Sequence, residues 1–112
     1  MADIVEVDVA GAGRAFGGAA ALLDVREPEE FEAGHAPGAL HLPLGELSRR
    51  LTELPGAPGF VVVCRSGSRS ALATEWLRAA GIEAANLVGG MQAWAEAGRD
   101  VVTDDGRPGR VI

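Results

Sequence analysis

The stretch VVVCRSGSRSALATEWLRAAG, Val61 to Gly81, decides how the chain is read. It opens on an apolar β-branched run that, with Phe60 ahead of it, has the character of a central strand covered on both faces. It closes on a predicted helix, Ser68 to Ala80, ended by Gly81. In that helix Leu72, Trp76 and Ala79 share one face and Ala73, Leu77 and Ala80 a neighbouring one, so the helix is expected to pack against a sheet. Across the junction of strand and helix run seven residues, Cys64 to Ser70, containing only Cys, Arg, Ser and Gly, and Cys64 is the sole cysteine of the chain.

The same alternation extends in both directions. Strands are predicted at Ile4 to Val9, Ala20 to Val25, Ala39 to Leu42, Phe60 to Cys64 and Ala85 to Val88. Helices are predicted at Pro28 to Ala33, Leu44 to Leu54, Ser68 to Ala80 and Met91 to Ala97, the first opened by a proline and the last closed by Gly98. Strand and helix in repeated order mean an α/β fold of three layers, α/β/α, around a mainly parallel sheet of about five strands. The segment from Arg99 to Ile112, with its DDG and RPG turns, fits an extra strand, a wrap or a loose tail.

At 112 residues the chain has the length of one domain, read as a single unit over 1–112. A formal charge of −6 argues against nucleic acid and acidic membranes as partners, because both are bound mainly by neutralising phosphates. The arginines nevertheless gather at Arg65, Arg69 and Arg78, while acids concentrate in REPEEFE, Arg26 to Glu32. A small anion is the ligand such a local positive spot would attract. One cysteine cannot close an internal disulfide, MADIVEVDVAG lacks the basic start and long apolar run of a secretory signal, and no segment is long enough to cross a bilayer. A reducing cytoplasm is the expected setting.

In open α/β sheets ligands bind where a strand's carboxyl end leads into a helix, and Cys64 stands at that place. The first turn of the helix leaves amide groups without partners and its dipole adds about half a positive charge there. Gly67 permits a positive φ that turns consecutive amides inward, and Ser66, Ser68 and Ser70 add hydroxyl donors. Such a cradle favours thiolate over thiol; cysteines so placed have pKa values lowered to roughly 3.5–7.5. An ionised sulfur ringed by donors attacks electrophilic sulfur or phosphorus, and the same donors hold the charge of the covalent product. The competing reading, a small buried hydrophobe after a valine run, does not account for the Gly/Ser/Arg loop.

The chain resembles the single-domain rhodaneses, a family of sulfurtransferases. Three stretches carry the resemblance: LLDVREPEEFEAGHAPGALHLPL (Leu22 to Leu44), VVVCRSGSRSALATEWLRAAG (Val61 to Gly81) and NLVGGMQAWAEAG (Asn86 to Gly98). It covers about Ala20 to Val102 and leaves the tail, residues 103–112, outside. It implies a parallel sheet between helices and a Cys64 that takes a sulfane sulfur from a donor such as thiosulfate, becoming a persulfide. A thiol, a protein or, in the assay, cyanide then removes that sulfur. In this scheme the amides from Arg65 to Ser70 hold the outer sulfur and the arginines attract the anionic donor; neither cofactor nor metal is expected.

Asp24 and Arg26 match the family's Asp-x-Arg, read first as a structural ion pair and secondly as placing Arg26 at the lip of the donor pocket. His35 and His41 are expected to fix turns, Trp76 and Trp94 to anchor the core, Gly89 and Gly90 to permit close packing, and REPEEFE to form a solvated acidic face with a helix start. Four residues separate Cys64 from Arg69, where the related cell-cycle phosphatases have five, and a smaller ring suits one sulfur atom better than a phosphate. Three functions are weighed: a thiosulfate-type sulfurtransferase, a persulfide carrier loaded by another protein, and a phosphatase-like or arsenate-reducing enzyme. If Arg69 braces the loop from within while Arg65 faces the donor, Arg65→Ala raises KM and Arg69→Ala also lowers kcat.

Overall fold

The computed structural model describes residues 5–112, so Ile4 of the predicted opening strand lies outside the described residues. Among the described residues, five strands form one sheet: β1 (Glu6–Val7), β2 (Ala21–Asp24), β3 (Leu40–His41), β4 (Phe60–Val63) and β5 (Ala84–Leu87). Their order is β1-β5-β4-β2-β3 and every neighbouring pair is parallel. Five helices accompany them: α1 (Val9–Ala12), α2 (Pro28–Ala33), α3 (Leu44–Leu47), α4 (Ser68–Ala79) and α5 (Gly90–Glu96).

The valine run lies at the centre of this sheet, between β5 and β2, with Val61, Val62 and Val63 all but inaccessible. The two-residue period of a strand sends them to opposite sides. Val62 joins Leu23, Leu47, Ala73 and Leu77 in the core beneath α3 and α4. Val61 and Val63 join Leu87, Met91 and Trp94 in the core beneath α5. Two cores on two faces make the three layers, and each buried valine stabilises the fold by about 1.5–3 kcal/mol relative to exposure.

Two helices depart from the pattern expected of them. On α4 the buried stripe is Ser70, Ala73, Thr74 and Leu77, whereas Leu72 and Trp76 are 40% and 41% exposed. Trp76 is therefore not a core anchor, although Trp94 is, with its indole Nε1 donating to Asp100 O at 2.8 Å. Two polar residues disguise the stripe: the Thr74 hydroxyl donates to Ser70 O at 2.7 Å, and Ser70 faces the cysteine loop. The predicted helix Leu44 to Leu54 is broken into α3 and a 3₁₀ turn at Leu51–Glu53. Arg50 locks that bend by donating to Glu46 and Glu53 at 2.8 Å.

The opening strand is shorter than its apolar pattern suggests, because Asp8 caps α1, its Oδ1 accepting from Gly11 N at 2.7 Å. The tail is a wrap. Val102 exchanges backbone hydrogen bonds with His35 at 2.9 Å, and Arg110 N donates to Ala33 O at 2.9 Å. Its last residue meets the cysteine loop, where Arg65 Nε donates to Ile112 O at 2.9 Å.

Candidate functional site

β4 delivers Cys64 to the carboxyl edge of the sheet, and the chain turns through Arg65 and Ser66 before α4 begins. Three carbonyls of the turn are tied from outside. Met91 N donates to Cys64 O at 2.8 Å, Gln92 N to Arg65 O at 3.0 Å, and Asn86 Nδ2 to Gly67 O at 3.1 Å. With the carbonyls turned outward, the amides between them turn inward. Gly67, at φ 114°, completes the turn in a region that side chains resist. Gly90 is needed for contact: a Cβ there would lie 2.3 Å from Cys64 O. The expectation that Gly90 permits close packing thus meets a specific neighbour, the loop itself.

Inside the ring, Gly67 N donates to Cys64 Sγ at 3.1 Å and Ser70 Oγ lies 3.3 Å from it. Burial pushes the thiol up; the Ser70 hydroxyl and the amides of Ser70, Gly67 and Ser66 outweigh it, so the pKa falls below the ordinary cysteine value. The sulfur itself has no accessible surface, while Arg65, Ser66 and Ser68 around it are exposed. Cys64 is therefore a polarised sulfur directly beneath the surface, and reaction with an incoming molecule requires the loop to part. Among the described residues Ser70 supplies the one side-chain hydroxyl on the sulfur; Ser66 and Ser68 stand on the exposed rim.

The arginines are arranged differently from expectation. Arg69 does not brace the loop from within but reaches outward to α2, its Nη1 and Nη2 donating to Glu30 Oε1 and Oε2 at 2.7 and 2.9 Å. Arg65 spends its Nε on the tail. Arg26 is not a pocket lip: it is fully buried, forked onto Asp24 with Nε to Oδ1 at 3.0 Å and Nη2 to Oδ2 at 2.8 Å, and its Nη2 also donates to Gly34 O at 2.8 Å. The ion-pair reading of Asp24 and Arg26 is the one their positions fit. The histidines fix turns: His35 Nδ1 donates to Phe31 O at 2.7 Å and His41 Nε2 to Arg26 O at 2.8 Å, with both rings stacked on Phe31.

Two residues of the site are missed by sequence reasoning, Glu30 and Asn86. Glu30 sits within the acidic run, yet it is the N3 position of a capping box, accepting from Glu27 N at 3.0 Å, and it faces Arg69 while Glu27, Glu29 and Glu32 are exposed. Pro28 followed by Glu30 is the signal that could have singled it out. Asn86 is a buried polar residue in an otherwise apolar strand, and such a residue calls for named partners.

The bidentate contact with Arg69 holds the Glu30 carboxyl down from 4.5 to about 2. A depressed carboxylate contributes stability that is present above its unfolded value and lost as pH falls through the folded one. Wild-type protein is thus expected to lose stability between about pH 4.5 and 2 by an amount that Glu30→Gln does not share. Urea midpoints of both proteins across that range measure it; parallel curves would contradict the pairing.

The sequence matches the family model described as "Rhodanese-like domain" over residues 11–97, most of the chain. The chain belongs to the rhodanese-like domain family. It is 40% identical over 86 residues to a sulfurtransferase of Allochromatium vinosum, covering 76% of this chain and 80% of that protein. It is 43% identical over 94 residues to the HTH-type transcriptional regulator Rv0324 of Mycobacterium tuberculosis, covering 81% of this chain and 40% of that protein. The crystal structure of a rhodanese-related protein from Thermoplasma volcanium superposes with a TM-score of 0.81 at 32% identity, covering 89% of this chain and 99% of that one. The rhodanese-like chain spans 40% of the length of each of two curated relatives it matches. No described helix of this rhodanese-like domain is long and apolar enough to cross a membrane.

Proposed function

We propose that the protein moves a sulfane sulfur from thiosulfate, or a similar small anionic donor, to a thiol or protein acceptor in the cytoplasm, with cyanide taking the acceptor's place in the assay. The carrying observation is the ring of donors around Cys64: Gly67 N at 3.1 Å, Ser70 Oγ at 3.3 Å, and amides whose carbonyls are tied outward. Family membership and the likeness to a sulfurtransferase support the same reading.

The Cys64 thiolate attacks the outer sulfur of thiosulfate; a sulfur–sulfur bond forms as the original one breaks, and sulfite leaves with its electron pair. The outer sulfur of the resulting persulfide carries the negative charge into the amide ring, which stabilises it as an oxyanion hole stabilises oxygen. The acceptor then attacks that outer sulfur and the thiolate returns. Positive charge at the rim comes from Arg65 and, less fully, from Arg69, whose charge Glu30 offsets.

That offset favours a second reading, in which the donor is a persulfide on another protein and thiosulfate is a poor substitute. Thiocyanate release from thiosulfate and cyanide tests the first reading. Loading by a cysteine desulfurase without turnover of thiosulfate supports the second, and failure of both contradicts sulfur transfer.

A further inference from the structure

Ser70 Oγ stands between two acceptors, 2.6 Å from Asn86 Oδ1 and 3.3 Å from Cys64 Sγ, and a serine hydroxyl has one proton. The orientation of Asn86 is not free. Its amide nitrogen lies 3.1 Å from Gly67 O, a group that only accepts, so Nδ2 faces the loop and Oδ1 faces Ser70. Oδ1 cannot donate; a contact of 2.6 Å therefore places the serine proton on the asparagine side. The lone pairs of Ser70 are left toward the sulfur, where they suit a thiol S–H and oppose a thiolate.

We infer that Asn86 is a positioning residue which holds the single hydroxyl proton of Ser70 in competition with the Cys64 sulfur. When Cys64 ionises, its proton passes to solvent and the Ser70 hydroxyl rotates from Oδ1 to Sγ. Asn86 is only 3% exposed, so water does not readily replace the lost donor at Oδ1. Asn86 thus restrains the ionisation that the surrounding amides promote, and its own amide nitrogen is held by the Gly67 carbonyl. The persulfide, with its charge moved outward by one atom, changes which acceptor the hydroxyl serves.

The charged groups around the loop are Arg65, Arg69 on α4, Glu27 and Glu30 at the start of α2, and the Asp24–Arg26 pair at the end of β2. From the opposite side β5 and the start of α5 present Asn86 and Gly90, which carry no charge. An uncharged replacement of Asn86 leaves that set of charges as it is.

This rests on Cys64 as the nucleophile of the function proposed above, but alkylation reads it without any sulfur donor, so the two ideas fail separately. The rate of Cys64 alkylation by iodoacetamide is measured against pH for wild type, Asn86→Ala, Ser70→Ala and the double variant. Asn86→Ala is expected to lower the midpoint by about half to one pH unit, the scale of one contested hydrogen bond. In the Ser70→Ala background, where only the contact with the Gly67 carbonyl is lost, the same change is expected not to lower the midpoint. Asn86→Leu, which refills the volume, gives the same reading if the alanine variant does not fold. A midpoint that rises or stays fixed in the folded Asn86 variant, or that falls equally in the Ser70→Ala background, overturns the inference.

Discussion

Cys64→Ser protein is expected to release thiocyanate from thiosulfate and cyanide at least about a thousandfold more slowly than wild type, while folding normally. The loss follows from what surrounds the sulfur. Amides and a serine hydroxyl stabilise an anion already formed, but among the described residues none of the groups hydrogen-bonded to Sγ is a base that could take a proton from a serine at position 64. Those donors lower the thiol below the ordinary cysteine value and so favour a thiolate nucleophile; an alcohol, far less acidic, offers no comparable anion. Folding is preserved because the smaller hydroxyl occupies the same fully buried position and accepts from the same donors. Steady-state thiocyanate release, with circular dichroism as the control, checks it. Residual turnover within tenfold of wild type would assign the chemistry elsewhere.

Asp24→Ala carries the largest expected cost in stability, about 3–5 kcal/mol, because it leaves the Arg26 guanidinium fully buried without its counter-charge. Arg26 Nη1 already has no partner among the described residues, so the guanidinium has little capacity to find another. The damage falls next to the site: Asp24 pairs in register with Val63, the residue before Cys64, and Arg26 ties β2 to Gly34 at the end of α2. Urea unfolding measures the loss. In an Arg26→Met background the same substitution should cost much less, since no buried charge remains to be stranded. Equal costs in both backgrounds would show that the pair is not what Asp24 contributes.

The central part of the fold is legible in the sequence because the physics there is local. A run of valines specifies a strand covered on both faces, and a Gly/Ser/Arg turn at its carboxyl end specifies where donors converge; both are found, with Gly67 at positive φ and its amide on the sulfur. What the sequence conceals depends on partners distant along the chain. Leu72 and Trp76 have the spacing of a buried face, but α4 turns Ser70 and Thr74 inward instead, because Ser70 is committed to the cysteine loop. Arg69 has the motif position of a loop brace, yet Glu30, 39 residues away, draws it outward. Helix 44–54 satisfies apolar periodicity and still breaks after Leu47, resuming as a 3₁₀ turn that packs Leu51 and Leu54 against the core formed with Leu23, Phe60 and Leu77. The fate of the tail rests on His35, Ala33 and Arg65, none of them predictable from its own turns.

Intact mass of the reduced protein, recorded before and after thiosulfate and again after a persulfide-bearing donor, tests most directly whether the cradle exists to hold a second sulfur on Cys64. The expected result is a gain of one sulfur atom from at least one donor, reversed by cyanide and absent when Cys64 has first been alkylated. Folded, reduced protein that gains no sulfur from either donor, or gains it with Cys64 blocked, would contradict that role for the ring.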